Sequence, residues 1–183
     1  GFDNDGRLKI IHRKDSNNYE FTGSTSFSNS MGWNHFAYVI DANTGDIRGY
    51  VNGVLEISQS YNSNVNYYAP SREWWIGDAP LNSNSSHSFG GWMDEIAIWD
   101  EALTNAQITQ LYNSGNATLA HEVQTDNLRA YYDFENGSYS DKTGRGIDPI
   151  AESGFSQSII TIEGSDFSFI FPGESPSDEE LII

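Results

Sequence analysis

The sequence has 183 residues, enough for one substantial core or for one domain with part of a second. Its 26 acidic against nine basic residues give a formal charge of −17, which repels nucleic acid and anionic membrane surfaces and argues against both as partners. The absence of cysteine excludes disulfides and thiolate metal sites without fixing the compartment.

No signal peptide is evident and no apolar run approaches the roughly 18 residues that cross a bilayer, so membrane insertion is not expected. Gly1 in place of Met leaves room for an upstream segment. Residues 1–32 open with the turn cluster Asp3-Asn4-Asp5-Gly6, which lacks the spacing and distal Glu of a calcium loop, and continue as a hairpin through Leu8, Ile10, Ile11, Tyr19 and Phe21. The next strand, 33–40, places Trp33, His35, Ala37 and Val39 on one face and Phe36, Tyr38 and Ile40 on the other. His35 has no neighbouring nucleophile and reads as a structural hydrogen-bonder. Strand 46–51 returns from the turn at 41–45, and Asn52-Gly53, which tolerate positive φ, signal a second hairpin.

Residues 58–71 and 78–88 are long polar loops around a short strand at 74–77. Tyr61, Tyr67, Tyr68, Trp74 and Asn82 in and beside these loops are the candidate ligand-binding residues, since aromatic rings stack on sugar faces; burial of those rings beneath the loops is the competing reading. The stretch 92–99 then places Trp92, Ile96 and Ile98 on one face and Met93, Ala97 and Trp99 on the other, a strand covered on both sides. It carries Asp94 and Glu95, and buried carboxylates require a cation, donors or a proton.

One amphipathic helix is predicted near 105–113. Thr104 and Gln107 form its capping box, Ile108, Leu111 and Tyr112 its apolar face, and Gly115 its stop. A polar connector spans 116–127, a strand 128–134, and a Gly-rich acidic loop 135–146. Two strand-like runs, 158–162 and 167–171, have no evident partner in the pattern, and 173–183 reads as a flexible acidic tail. Asn84, Asn116 and Asn136 stand in Asn-x-Ser/Thr triplets, which matter only on a eukaryotic secretory route.

Short strands, polar turns and one helix indicate an all-β antiparallel sandwich. Trp33-Asn-His-Phe-Ala37, Ile47-Arg-Gly-Tyr-Val-Asn-Gly53, Trp75-Ile-Gly-Asp78 and Phe89–Trp99 with Ala102-Leu-Thr104 resemble the laminin-G-like, concanavalin A-like jelly rolls of the lectin/glucanase superfamily. The resemblance covers about residues 1–115, the main part of the sandwich, and matches the later part of such a domain. Residues 128–134 with Asp141-Lys-Thr-Gly144 resemble instead the way such domains begin. A truncated second domain, a rearranged one, or a strand donated to a neighbouring copy would each give this order. Packing of 128–134 near 92–99 in the same chain is favoured, so that 128–172 either complete the sandwich or start a second partial domain.

The resemblance implies what the carboxylates do. β-Glucan-cleaving relatives carry Glu-x-Asp-x-x-Glu on a strand, whereas here Ala97 follows two after Glu95 and Ile96 two after Asp94, so no catalytic residues are assigned and the chain is read as a non-enzyme. A structural Ca²⁺ is the implied cofactor, held by Asp94 or Glu95 with Asp141 and the carbonyls near Thr143 and Gly146. The competing reading has Asp94 capping a turn or pairing with Arg129 or Arg145, and Asp141 capping its own loop.

The expectation is a non-catalytic recognition or adhesion module, extracellular or on a virion or cell surface, whose partner is a glycan or a cell-surface protein. The alternative is a structural subunit of a filament, fibre or capsid that self-assembles by strand exchange.

Overall fold

The computed structural model describes residues 1–14, 17–27, 32–60, 74–76, 93–135, 138–148, 150–151, 158–160 and 167–171. The expected tail 173–183 and the side chains of Tyr61, Tyr67, Tyr68, Asn82 and Trp92 lie outside them, as does the side chain of Trp74. Strands β1 (Arg7–Lys14) and β2 (Asn17–Ser26) make the first hairpin, and β3 (Phe36–Asp41), β4 (Asp46–Val51) and β5 (Val54–Ser60) a meander. After β6 (Trp74–Ile76) and β7 (Ile96–Trp99) come helices α1 (Asn105–Tyr112) and α2 (Ala120–Val123). Strands β8 (Leu128–Tyr132), β9 (Ile150–Ala151), β10 (Ser158–Ile160) and β11 (Phe167–Phe171) follow.

All strand pairs are antiparallel. The main sheet has the order β5-β4-β3-β11-β7-β8, beside a three-stranded sheet β6-β10-β9 and the two-stranded β1-β2. Strand β11 enters between β3 and β7, with Phe169 opposite Tyr38 on one side and Ile98 on the other. Strand β10 pairs with β6 and β9. Both tail runs that lack a partner in the sequence pattern thus pair within the chain. Strand β8 lies along β7 at the sheet's edge.

The period-2 alternation of the main sheet sends its side chains into two cores. On one face Ile40, Ile47, Val51 and Ile57 pack with Leu8 and Ile10 of the first hairpin, and Ile96, Ile98, Ala130 and Tyr132 pack with Ile76 of β6. These layers make an antiparallel β-sandwich. On the other face Ala37, Val39, Tyr50, Ala97, Trp99 and Tyr131 meet Leu103, Ile108, Leu111 and Ala120 from the helical segment. Burying each of these Leu and Ile side chains contributes roughly 1.5–3 kcal/mol, so both covers hold the sheet. A β-bulge where Trp99 faces Leu128 and Ile98 faces Ala130 lets both Leu128 and Tyr131 turn toward the helical side.

Helix α1 starts as its capping box requires: Thr104 Oγ1 accepts Gln107 N–H at 3.3 Å and Gln107 Oε1 accepts Thr104 N–H at 2.8 Å. It ends at Asn113 in left-handed conformation. The β4–β5 turn uses Asn52 and Gly53 at φ 49° and 73°. A Cβ on Gly53 would stand 2.9 Å from Cδ1 of Tyr112, so close packing against α1 also demands glycine there.

Three expectations are corrected. The covered strand begins at Ile96, because Glu95 at φ +52° breaks the extended run; Met93 consequently packs with Ile96 and Ile98 and not with Ala97 and Trp99. Strand β8 stops at Tyr132, short of Phe134 at φ +49°. The connector contains the single-turn helix α2, whose Ala120 joins the core.

Candidate functional site

Two groups of carboxylates flank β8. The first gathers where β7 begins and β8 ends. Because Ile96 faces Tyr132 in an antiparallel pair, continuing the register sets residues 94 and 95 beside 133 to 135. Asp94 caps the turn through Glu95 N–H, which donates to its Oδ1 at 2.8 Å. Tyr131, whose ring reaches the helical face, donates its hydroxyl hydrogen to Glu95 Oε2. Burial pushes the Glu95 carboxyl up to about 7, against the Tyr131 hydrogen bond and with the charges of Asp94, Asp133 and Glu135 adding to the rise. Burial likewise raises Asp94, the charges of Glu135 and Asp133 adding to it. Lys142 Nζ, 3.0 Å from Asp133 Oδ1, offsets part of this negative field. Glu95 therefore holds a proton through much of the range below neutrality.

The second group centres on Asp141. Its Oδ1 accepts the N–H groups of Tyr131 and Thr143 at 3.1 and 3.0 Å. Its Oδ2 accepts the Thr143 hydroxyl at 2.6 Å and the N–H groups of Arg145 and Ile147 at 3.2 and 3.4 Å. Burial alone would raise this carboxyl, but the Thr143 hydroxyl and the ring of amides outweigh it and hold the group below its ordinary value. Lys142 N–H returns a bond to Tyr131 C=O at 2.8 Å, and Arg145 Nε donates to Leu128 C=O at 2.9 Å. The loop thereby lines the outer edge of β8.

The four carboxylate-site residues expected from the sequence thus fall into separate places. Asp94 and Glu95 stand together; Asp141 and Thr143 stand together on the other side of β8's backbone pattern, bonded to one another. Five donors already fill both Asp141 oxygens. Among the described residues, no group of three or more His, Asp or Glu side chains is placed to hold a metal ion. Asp141 makes the contacts of the loop-capping reading. Arg129 pairs not with Asp94 but with Asp100, its Nε donating to Oδ2 at 2.5 Å, and Arg145 is held by the Leu128 carbonyl.

Sequence reasoning left Tyr131, Asp133 and Glu135 out of the Asp94–Glu95 group. The signal that finds them is the antiparallel register of the two strands, since the residues leaving β8 must pass those entering β7.

His35 is buried, and among the described residues neither ring nitrogen has a hydrogen-bond partner. Only its backbone is used: its N–H donates to Asn52 Oδ1 and its C=O accepts Asn52 N–H, at 2.9 and 2.8 Å. Its ring lies 5.8 Å from that of Tyr112, and burial pushes it down to about 4. The hydrogen-bonding role expected of the side chain is replaced by packing.

Comparison with known families matches residues 1–109 to the concanavalin A-like lectin/glucanases superfamily. No curated protein and no solved structure matches the chain significantly. Laminin G-like domains are generally non-catalytic modules that bind carbohydrate or protein. The match runs from β1 into α1 and takes in more than half of the 183 residues, so the chain belongs to the concanavalin A-like lectin/glucanases superfamily.

Proposed function

We propose that this chain is a non-catalytic recognition and adhesion module acting outside the cell. Its partner is a glycan, held by Tyr61, Tyr67, Tyr68 and Asn82 of the loops and by Trp74 beside them. The observation that carries this reading is β7: Ile96, Ala97, Ile98 and Trp99 are all buried, at 0–1% exposure, under the two covers of the sheet. The strand that would present a hydrolase's carboxylates to a substrate groove offers only apolar side chains to two packed cores. With both faces of β7 covered, recognition falls to the segments linking the strands, where Tyr, Asn and Ser are concentrated.

A glycan microarray tests it, run with the wild type and with Tyr67→Ala/Tyr68→Ala. The expected result is saturable binding that drops at least about tenfold in the double variant, the order of one lost stacking contact of roughly 1.4 kcal/mol, with the melting temperature unchanged. Release of reducing ends from a β-glucan by the wild type would overturn the non-catalytic reading.

A further inference from the structure

We infer that acid releases the C-terminal end of α1 from the main sheet, with buried His35 as the trigger and Tyr112 as the latch, whatever ligand the module binds. His35 stands just before β3 at 0% exposure, and its ring lies 5.8 Å from that of Tyr112 in the last turn of α1. Neither ring nitrogen has a hydrogen-bond partner among the described residues. The site tolerates the neutral ring, whereas an imidazolium would bring two N–H donors and a charge with no acceptor to meet them. Protonation therefore requires water to reach the ring.

The charged and titratable groups on the neighbouring elements offer no relief. Helix α1 contains no Asp, Glu, Lys, Arg or His, and Tyr112 is its one titratable residue. The turn Asn52-Gly53 and strand β11 have none. On β4, Arg48 and Tyr50 are both bonded to Asn105, and on β5 Glu56 is bonded to Ser24 and Thr25. Asp41 and Asp46 are register partners at the far end of β3, about 20 Å along the strand from His35. Burial by itself accounts for the low value of about 4 at His35.

How each side of the ring is held decides which one yields. On the sheet side, the His35 N–H and C=O both bond Asn52, and Asn52 Nδ2 donates to Asn34 Oδ1 at 3.0 Å. Helix α1 is fastened at its other end, by the Thr104–Gln107 box and by Arg48 and Tyr50 on Asn105. Its C-terminal end rests on His35 and Gly53 through a Tyr112 ring that is only partly buried. Beyond it Asn113, Ser114 and Gly115 have φ of 43°, 57° and 91°, a left-handed run in which two residues carry side chains. Eight residues make a helix too short to persist without its packing. At neutral pH the burial of Ile108 and Leu111 and the bond from Thr118 N–H to Leu111 C=O, 2.9 Å, keep the end closed. In acid, water reaches the imidazole as Tyr112 and residues 113–116 lift away and the helix turns about Asn105. The apolar face of α1 is then presented to solvent.

Amide hydrogen exchange of the full chain, followed by NMR at about pH 7.5 and about pH 5 and divided by the intrinsic exchange rates, gives an opening constant at each site. With the open form titrating at the ordinary 6.5 and the closed form at about 4, the constants for Gln110 to Asn113 and Thr118 rise about 25-fold on acidification. In acid they also exceed those of the β3 and β7 amides by at least about tenfold. His35→Phe abolishes the rise. Constants at the end of α1 that ignore pH, that only equal those of β3 and β7, or that rise as much in His35→Phe overturn the latch. Should His35→Phe fail to fold, Tyr112→Ala decides: the NMR titration midpoint of the His35 ring moves up from about 4 toward 6.5 once the latch is removed, and an unmoved midpoint overturns the inference.

Discussion

Tyr131 N–H donates to Asp141 Oδ1 at 3.1 Å, so a side chain of the loop satisfies a backbone donor of β8, which is the edge strand of the main sheet. An unpaired edge invites pairing with another chain, and this loop occupies that edge with a carboxylate, an amide and a guanidinium.

Asp141→Ala therefore strands several donors at once and lowers stability by about 2–3 kcal/mol, the scale of a charged hydrogen bond left unmade. Urea denaturation measures the loss. Because the folded carboxyl is held below its ordinary value of 3.8, its contribution is present above that pH and is lost as pH falls through the folded value. A chelator leaves the wild-type melting temperature where it is, since the carboxylate's partners are the protein's own donors. A fall of several degrees on chelation, restored by Ca²⁺, would instead make this loop or its surroundings a metal site.

His35 gives the opposite pH response to Glu95. Its folded value, about 4 against the ordinary 6.5, means that the unfolded chain takes up the proton first. Stability is intact above pH 6.5 and declines as pH falls toward 4, by at most about 3.5 kcal/mol at roughly 1.4 kcal/mol per pKa unit. His35→Phe removes this decline, so the difference in unfolding free energy between variant and wild type changes in the variant's favour between pH 7 and 4.5. A difference that stays constant over that range would refute the burial argument.

Glu95 has its folded value raised to about 7 from 4.5. Its contribution is present below pH 4.5 and is lost as pH rises through 7, and solvent exposure of the group limits it to about 2 kcal/mol. Glu95→Gln flattens that part of the profile. In the wild type the two groups oppose each other between pH 4.5 and 6.5, so its stability varies less there than that of either variant. Carboxyl chemical shifts in an NMR titration read the Glu95 value directly, and an ordinary midpoint near 4.5 would rule the assignment out.

Glu56 on β5 accepts the Ser24 hydroxyl and N–H at 2.6 and 2.7 Å and the Thr25 hydroxyl at 2.5 Å, stitching the hairpin layer to the main sheet. The Ser24 and Thr25 hydroxyls pull its carboxyl down to about 2. The site is largely exposed, so screening reduces the value of these bonds, and Glu56→Ala costs about 1 kcal/mol at neutral pH. That contribution is present above pH 4.5 and disappears as pH falls through about 2. A double-mutant cycle with Ser24→Ala checks that the coupling runs through this pair.

Much of the architecture is written locally. The Thr104–Gln107 box fixed the start of α1, Asn52-Gly53 the turn into β5, and the apolar run 167–171 an entire strand. The two-sided burial of β7 followed from apolar residues at consecutive positions. Three features leave no such mark. The place of β11 between β3 and β7 is a pairing choice. Met93 changes side because Glu95 takes a left-handed backbone angle that periodicity does not encode. The carboxylate groupings followed the same rule: Asp94 and Glu95 meet Asp133 and Glu135 through strand register, while Asp141 finds its amides within its own loop and in β8.

The central position of β11 also governs when the molecule can become itself. Tyr38 and Phe169 are register partners, so the half of the sheet built by β3 to β5 and the half built by β7 and β8 stay unjoined until residues 167–171 have left the ribosome. Every residue of the family match is synthesised before that strand exists. Completion of the sheet is thus a late, high-contact-order event in biosynthesis, and until then the facing edges of β3 and β7 are what a chaperone would have to guard.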